Sequence, residues 1–295
     1  MSGLFSRGPR RLGIALGGGS ARGLAHIGVL KVLADAGLRP AAITGTSMGA
    51  IVGAFAAAGY SIAEIEQIAV ELDVRDMVSF ADLHPGRAAF VNGEKVEAWL
   101  REWLPPTFEK LVLPFACVSV DLRTGTVVRH ADGDLIEAVR ASCSIPGVFP
   151  PVLRDDEVLV DGGVLEPLPV PTLKAMRASD VAVAVTVSQL GALRPGFGFG
   201  DRERSGVQRL WGSLMDTDQK DREPRQFQTM NISLQVMQRE LERPATRMAD
   251  VVISPDVAEF DGHEFLEAPR LIALGELAAV DALPEIERRM GTSRG

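Results

Sequence analysis

Cysteine is scarce, with only Cys117 in an apolar run and Cys143 in a turn-rich one. Two such residues exclude a disulfide framework and any cysteine-rich metal site, and a reduced, cytoplasmic setting is expected. Net positive charge is missing as well. The formal charge of -8 and sequence pI near 5.2, without interleaved basic and aromatic residues, argue against a nucleic-acid surface. No stretch approaches the roughly 18 to 20 consecutive apolar residues that span a bilayer. The run LGIAL, which follows Arg7, Arg10 and Arg11, is too short for a signal segment. Any membrane contact is therefore expected to be peripheral. No His/Asp/Glu cluster has ligand spacing, so neither metal nor cofactor is expected.

What is present reads as globular, with 46% hydrophobic and 24% charged residues. No internal repeat or domain boundary is visible. Residues 1–11 form a basic tail, 12–295 one unit, and the glycine- and arginine-rich stretch 190–226 a mobile insertion carrying Phe197, Phe199 and Trp211. The oligomeric state is not legible.

Residues 12–16 read as a strand, 17–23 as a glycine turn and 24–36 as a helix through Leu24, Ile27, Leu30 and Leu33, closed by Gly37. Ala42 to Thr44 is a second strand, and an apolar helix follows as far as Gly59. Residues 61–104 read as helical with a polar interruption around Asp82 to Gly86, and Trp99 and Trp103 form a core stripe. PFACVSVDL and TVVRHA form a hairpin around RTG. A helix from about Leu135 leads into the loop SCSIPGVFPPV. EVLVDGG and DVAVAVTVS are buried strands, amphipathic helices resume near Phe227, and a strand at DVVIS precedes a closing helix from about Phe265.

Three signals carry chemistry. Gly45-Thr46-Ser47-Met48-Gly49 is G-x-S-x-G between a strand and a helix, where the glycines permit a tight turn and the helix N-terminus favours a developing alkoxide on an exposed Ser47. It comes after one strand-helix unit, too early for an α/β-hydrolase. Gly17, Gly18, Gly19, Ser20, Ala21, Arg22 and Gly23 follow the first strand, and their amides can receive an oxyanion. The dinucleotide pattern fails at Arg22 or Ser20, and no Lys followed by Ser or Thr comes after Gly23, so nucleotide binding is disfavoured. Arg22 is read either as a brace for this loop, as a group attracting an anionic headgroup, or as a solvated helix-start residue. Asp161, before Gly162 and Gly163, ends an apolar strand at the edge where the two turns lie. Its carboxylate can take the Ser47 proton, and burial would raise its basicity.

GGGSARGLAHIGVL, GTSMG, SCSIPGVFPPV and DGG, in this order over residues 12–187, resemble the patatin-like phospholipases, nearest to small bacterial members and the catalytic domain of neuropathy target esterase. The resemblance implies an α/β class, three-layer α/β/α fold with a mainly parallel sheet. It implies Ser47 as nucleophile, Asp161 as its sole partner, and Gly18, Gly19 and Ser20 as oxyanion donors, supported by Gly17, Arg22, Gly23, Gly45, Gly49, Gly162 and Gly163. It also implies phospholipid, lysophospholipid or other acyl-ester substrates. Ser20 stands where the family often has a third glycine, a position wanting positive φ. Ile145, Pro146, Val148 and Phe149 are candidates for an acyl pocket. Two rivals remain open: a Ser47/Asp161/His263 triad, and an idle fold serving as scaffold.

Overall fold

The computed structural model describes residues 10–71, 81–82, 90–91, 93–188 and 226–292. The sheet contains β1 (Leu12–Leu16), β2 (Pro40–Gly45), β5 (Phe115–Asp121), β6 (Thr126–His130), β7 (Val152–Arg154), β8 (Glu157–Asp161), β9 (Val181–Val185) and β10 (Val251–Ile253). Its path runs β10-β9-β1-β2-β5-β8-β7, with β6 paired to β5. β10, β9, β1, β2 and β5 are mutually parallel, whereas β6, β7 and β8 form antiparallel pairs.

Strand alternation sorts side chains onto two faces. Leu12, Ile14, Leu16, Val181, Val183 and Val185 bury one face against α1 (Ala25–Asp35), α2 (Met48–Ala57), α5 (Leu135–Ser142) and α8 (Ala268–Met290). α3 (Ile62–Glu71) and α4 (Gly93–Trp103) extend this layer. The opposite face carries small residues, Ala15, Ala42, Ala182 and Ala184, under α6 (Val170–Met176) and α7 (Gln226–Met248). The result is three layers, α/β/α. Each fully buried Leu, Ile or Val contributes about 1.5–3 kcal/mol, so the large-residue face dominates stability.

Several sequence expectations need correction. Within 61–104 a two-stranded antiparallel ribbon, β3 (Ala81–Asp82) with β4 (Phe90–Val91), takes part of what was read as helix. Trp99 does pack on Phe55, but Trp103 is exposed, so the pair is no core stripe. The hairpin β7-β8, turning at the positive-φ Asp155, begins inside the stretch read as loop, and α6 was not anticipated. The insertion read at 190–226 lies outside the described residues apart from its last position. Arg10 and Arg11 are the described part of the basic tail.

Candidate active site

Cys117 of β5 pairs with both Gly45 of β2 and His130 of β6, so β2 and β6 flank opposite edges of β5. Ser119 pairs with both Val128 of β6 and Asp161 of β8, so β8 also lies opposite β6. β2 and β8 therefore share one edge of β5. β2 runs parallel to β5 and stops at Cys117; β8 runs antiparallel and stops at Ser119. Their C-terminal ends meet head to head, and these ends carry Ser47 and Asp161. The sequence reading put both at one sheet edge, but the antiparallel course of β8 is what does it.

At the β2 end the turn is sterically forced. A β-carbon at Gly45 would lie 2.3 Å from the Gly49 carbonyl oxygen, and one at Gly49 would lie 2.3 Å from that of Leu16. Ser47 itself adopts φ 54, ψ −124, a strained conformation costing about 1–3 kcal/mol. Its N–H donates to Ser142 Oγ at 3.0 Å, and the preceding Thr46 Oγ1 donates to the Glu166 carbonyl at 2.9 Å. Ser47 is only 6% exposed, not open as the motif suggested. The glycine loop packs on it, with a β-carbon at Gly18 placed 3.5 Å from Ser47 Cβ.

The loop divides into two halves. Gly17 N–H donates to the Val185 carbonyl at 2.9 Å and Gly18 N–H to that of Pro167 at 2.8 Å, prolonging the sheet. Gly18 is thus corrected: its amide is spent, and it covers Ser47 instead of donating to an oxyanion. Among the described residues no protein acceptor takes the Gly19 or Ser20 amide. Ser20 has φ 51, the strain its position predicted, and its hydroxyl donates to the Gly262 carbonyl at 2.6 Å, as does the Ala21 amide at 3.0 Å. Two bonds to one carbonyl hold the residue where glycine is usual. Gly23 is required because a β-carbon there would press on the Met48 side chain at 2.6 Å. Arg22 is half-buried; burial lowers its pKa while Asp261 and Glu242 raise it, and it donates to Gln235 on α7 at 3.4 Å.

At the β8 end Asp161 is 4% exposed. Oδ1 accepts from Gly163 N–H at 2.7 Å, and the Asp161 amide donates to the Ser144 carbonyl at 2.9 Å. Gly162 leaves room for the Val118 carbonyl, 2.3 Å from its would-be β-carbon. Oδ2 is buried and has no hydrogen-bond partner among the described residues, while the Ser47 hydroxyl bears on the Asp161 carboxyl. Burial raises the carboxyl to about 6, against the lowering pull of Gly163 and Ser47.

Among the described residues no histidine completes a triad. His263 is exposed and makes no hydrogen bond to Asp161. His26 and His130 are committed elsewhere, with Nε2 2.8 Å from the Gly17 carbonyl and from Ser119 Oγ respectively. Burial, joined for His130 by Arg154, holds each near pKa 4, neutral at pH 7. Ile145, Pro146, Val148 and Phe149 are half-buried in a loop that Arg140 staples through Ser144 Oγ, the Pro150 carbonyl and the Phe149 ring.

Sequence reasoning missed Ser142 and His26 as supports. His26, a polar residue inside the apolar run LAHIGVL, was the visible signal for one; Ser142 sat unnoticed at a helix end. Among the described residues no helix is long and apolar enough to cross a membrane, and no His/Cys/Asp/Glu group can hold a metal.

The defining pattern of the patatin-like phospholipases matches residues 14–174, from the first strand through the glycine loop, the Ser47 turn and Asp161 to α6. An uncharacterized NTE family protein of Mycobacterium tuberculosis is 38% identical over 186 residues, 62% of this chain and 51% of that one. Lysophospholipase nte1 of Neurospora crassa is 32% identical over 206 residues, 67% of this chain and 14% of that one. Patatin-like phospholipase domain-containing protein 6 of Mus musculus is 33% identical over 183 residues, 60% and 13% of the two chains. The chain thus spans about half the length of its mycobacterial relative and a small part of the eukaryotic ones. With more than half of its residues inside the matched pattern, and with the matched segment holding both strand ends of the site, the chain belongs to the patatin-like phospholipase family.

Proposed function

We propose that the chain is a serine lipid acyl hydrolase in which Ser47 attacks the ester and Asp161 alone is its general base. The observation that carries this reading is the head-to-head approach of two strand ends, which brings the Ser47 hydroxyl to bear on the Asp161 carboxyl, whose buried Oδ2 has no hydrogen-bond partner among the described residues. A carboxyl near pKa 6 is largely ionised at pH 7, yet more basic than an ordinary carboxylate.

As Ser47 Oγ bonds to the carbonyl carbon, its proton passes to Asp161. The oxyanion is received by the Gly19 and Ser20 amides, donors of a kind worth about 10² to 10³ in rate each. Collapse breaks the ester C–O bond, and Asp161 returns the proton to the leaving alcohol. Water then cleaves the acyl-enzyme by the same route. Ile145, Val148 and Phe149, tethered next to Asp161 through Ser144, are suited to the acyl chain. The names of the fungal and mouse relatives favour phospholipids and lysophospholipids as substrates. A lipid surface is the partner that best suits α7, whose exposed Met230, Met237, Leu241 and Met248 share one stripe and whose exposed Arg239, Arg243 and Arg247 complement anionic headgroups.

A fluorophosphonate probe tests the reading. Wild type is expected to label, Ser47→Ala not at all, and Asp161→Asn at least about 10²-fold more slowly. An unreactive wild type favours the idle scaffold; loss of activity in His263→Ala with Asp161→Asn still active favours the triad.

A further inference from the structure

One polar group of α7 stands at the base and is not used by the fold. A β-carbon on Gly163 would lie 2.5 Å from Gln238 Nε2 and 3.0 Å from Asp161 Oδ1, so the space left by Gly163 is where the Gln238 carboxamide reaches the Asp161 turn. The neighbouring polar residues of α7 are spent on holding the helix. Glu242 accepts from Thr186 Oγ1 at 2.6 Å and from Ser188 Oγ, and Gln235 accepts from Arg22. Gln238, half-buried between them, makes no hydrogen bond among the described residues. Its donor and acceptor are carried on an anchored helix and remain unspent.

The chemistry says which part of a substrate comes there. In acyl transfer the Ser47 Oγ–C bond forms, the ester C–O bond breaks, and the Oγ proton travels through Asp161 to the departing oxygen. The alcohol half of the ester must therefore lie against Asp161, with the acyl chain directed away across the carbonyl carbon. A carboxamide at the same carboxylate faces the alcohol. We propose that Gln238 is a specificity-determining residue that hydrogen-bonds a free hydroxyl on the leaving group, so that the site prefers esters of polyols of the glycerol type to esters of apolar alcohols. This inference rests on the dyad reading above. It adds recognition of the alcohol half of the substrate, to which Asp161 supplies only the proton.

The experiment compares two esters with one acyl chain, 1-octanoylglycerol and p-nitrophenyl octanoate, on the full chain and on Gln238→Leu and Gln238→Met. One lost hydrogen bond corresponds to roughly a tenfold change, and leaving its polar partner unsatisfied to more. The expected result is about a 10- to 100-fold fall in kcat/KM for the glycerol ester, with the p-nitrophenyl ester kept within about threefold, which also shows that the variants fold. An equal fall on both esters overturns the inference, because Gln238 would then act through Asp161 and the pH midpoint would move with it. No change on either overturns it too, as does a wild type that cleaves only the p-nitrophenyl ester. A wild type inert to both esters and to fluorophosphonate overturns the dyad reading itself.

Discussion

The two strand ends that meet at the site are built in opposite ways. The Ser47 end is strained and rigid: a positive-φ serine sits in a turn where backbone atoms occupy every β-carbon position at Gly45 and Gly49. The Asp161 end is relaxed in backbone, φ −48 and ψ 132, and stores its cost as charge burial instead. Strain fixes where Ser47 is; desolvation fixes how basic Asp161 is. One end is consequently vulnerable to added volume and the other to pH.

The largest effect should come from Gly49→Ala, whose new methyl meets the carbonyl oxygens of Leu16 at 2.3 Å and Gly17 at 2.7 Å. Overpacking against backbone costs about 1–3 kcal/mol and moves Oγ, so thermal melting should shift down and probe labelling slow at least about 10²-fold. Gly163→Ala meets mainly the end of a flexible Gln238 side chain and should cost severalfold at most. If the two substitutions prove equally harmful, the contrast between the ends fails.

Next is the charge at the other end. Because the folded carboxyl titrates near 6 and the unfolded one near 3.8, the folded state binds more protons between these values. Its stability falls as pH rises through that window and is level above it. Asp161→Asn removes this fall, so at pH 7 the variant should be more stable than wild type by about 3 kcal/mol at most, the gain vanishing below about pH 4. Denaturant titration at pH 4 and pH 7 measures it. In wild type, kcat/KM should drop tenfold per pH unit below about 6 and be flat above.

A smaller effect than either of these main ones sharpens the first end. Ser142→Ala deprives the Ser47 N–H of its acceptor, which should cost about 1 kcal/mol in stability and roughly tenfold in kcat with KM little changed. A rise in KM alone would mean that Ser142 binds substrate and does not hold the turn.

Much of the first end was legible because it is local. Strand, glycine turn and helix follow one another at Leu12 to Asp35 and at Pro40 to Ala57, and each is dictated by hydrophobic spacing and by residues within a few positions. Ser20 likewise announced its strain, though not the Gly262 carbonyl that holds it. Gly18 misled, since whether an amide is free depends on Pro167, distant in sequence. Ser142, Gln238 and the exposure of Ser47 were illegible for the same reason.

By itself the sequence determined the two βα units, the Ser47 turn and the strand-end position of Asp161, because sterics and periodicity act between near neighbours. Only the tertiary structure decided that β8 returns antiparallel along the edge that β2 vacates, bringing Asp161 to Ser47 and burying it. The meeting of two strand ends more than a hundred residues apart through their separate registers on β5, and the loss of water around a carboxylate, are properties of the packed chain. No short window of residues carries them.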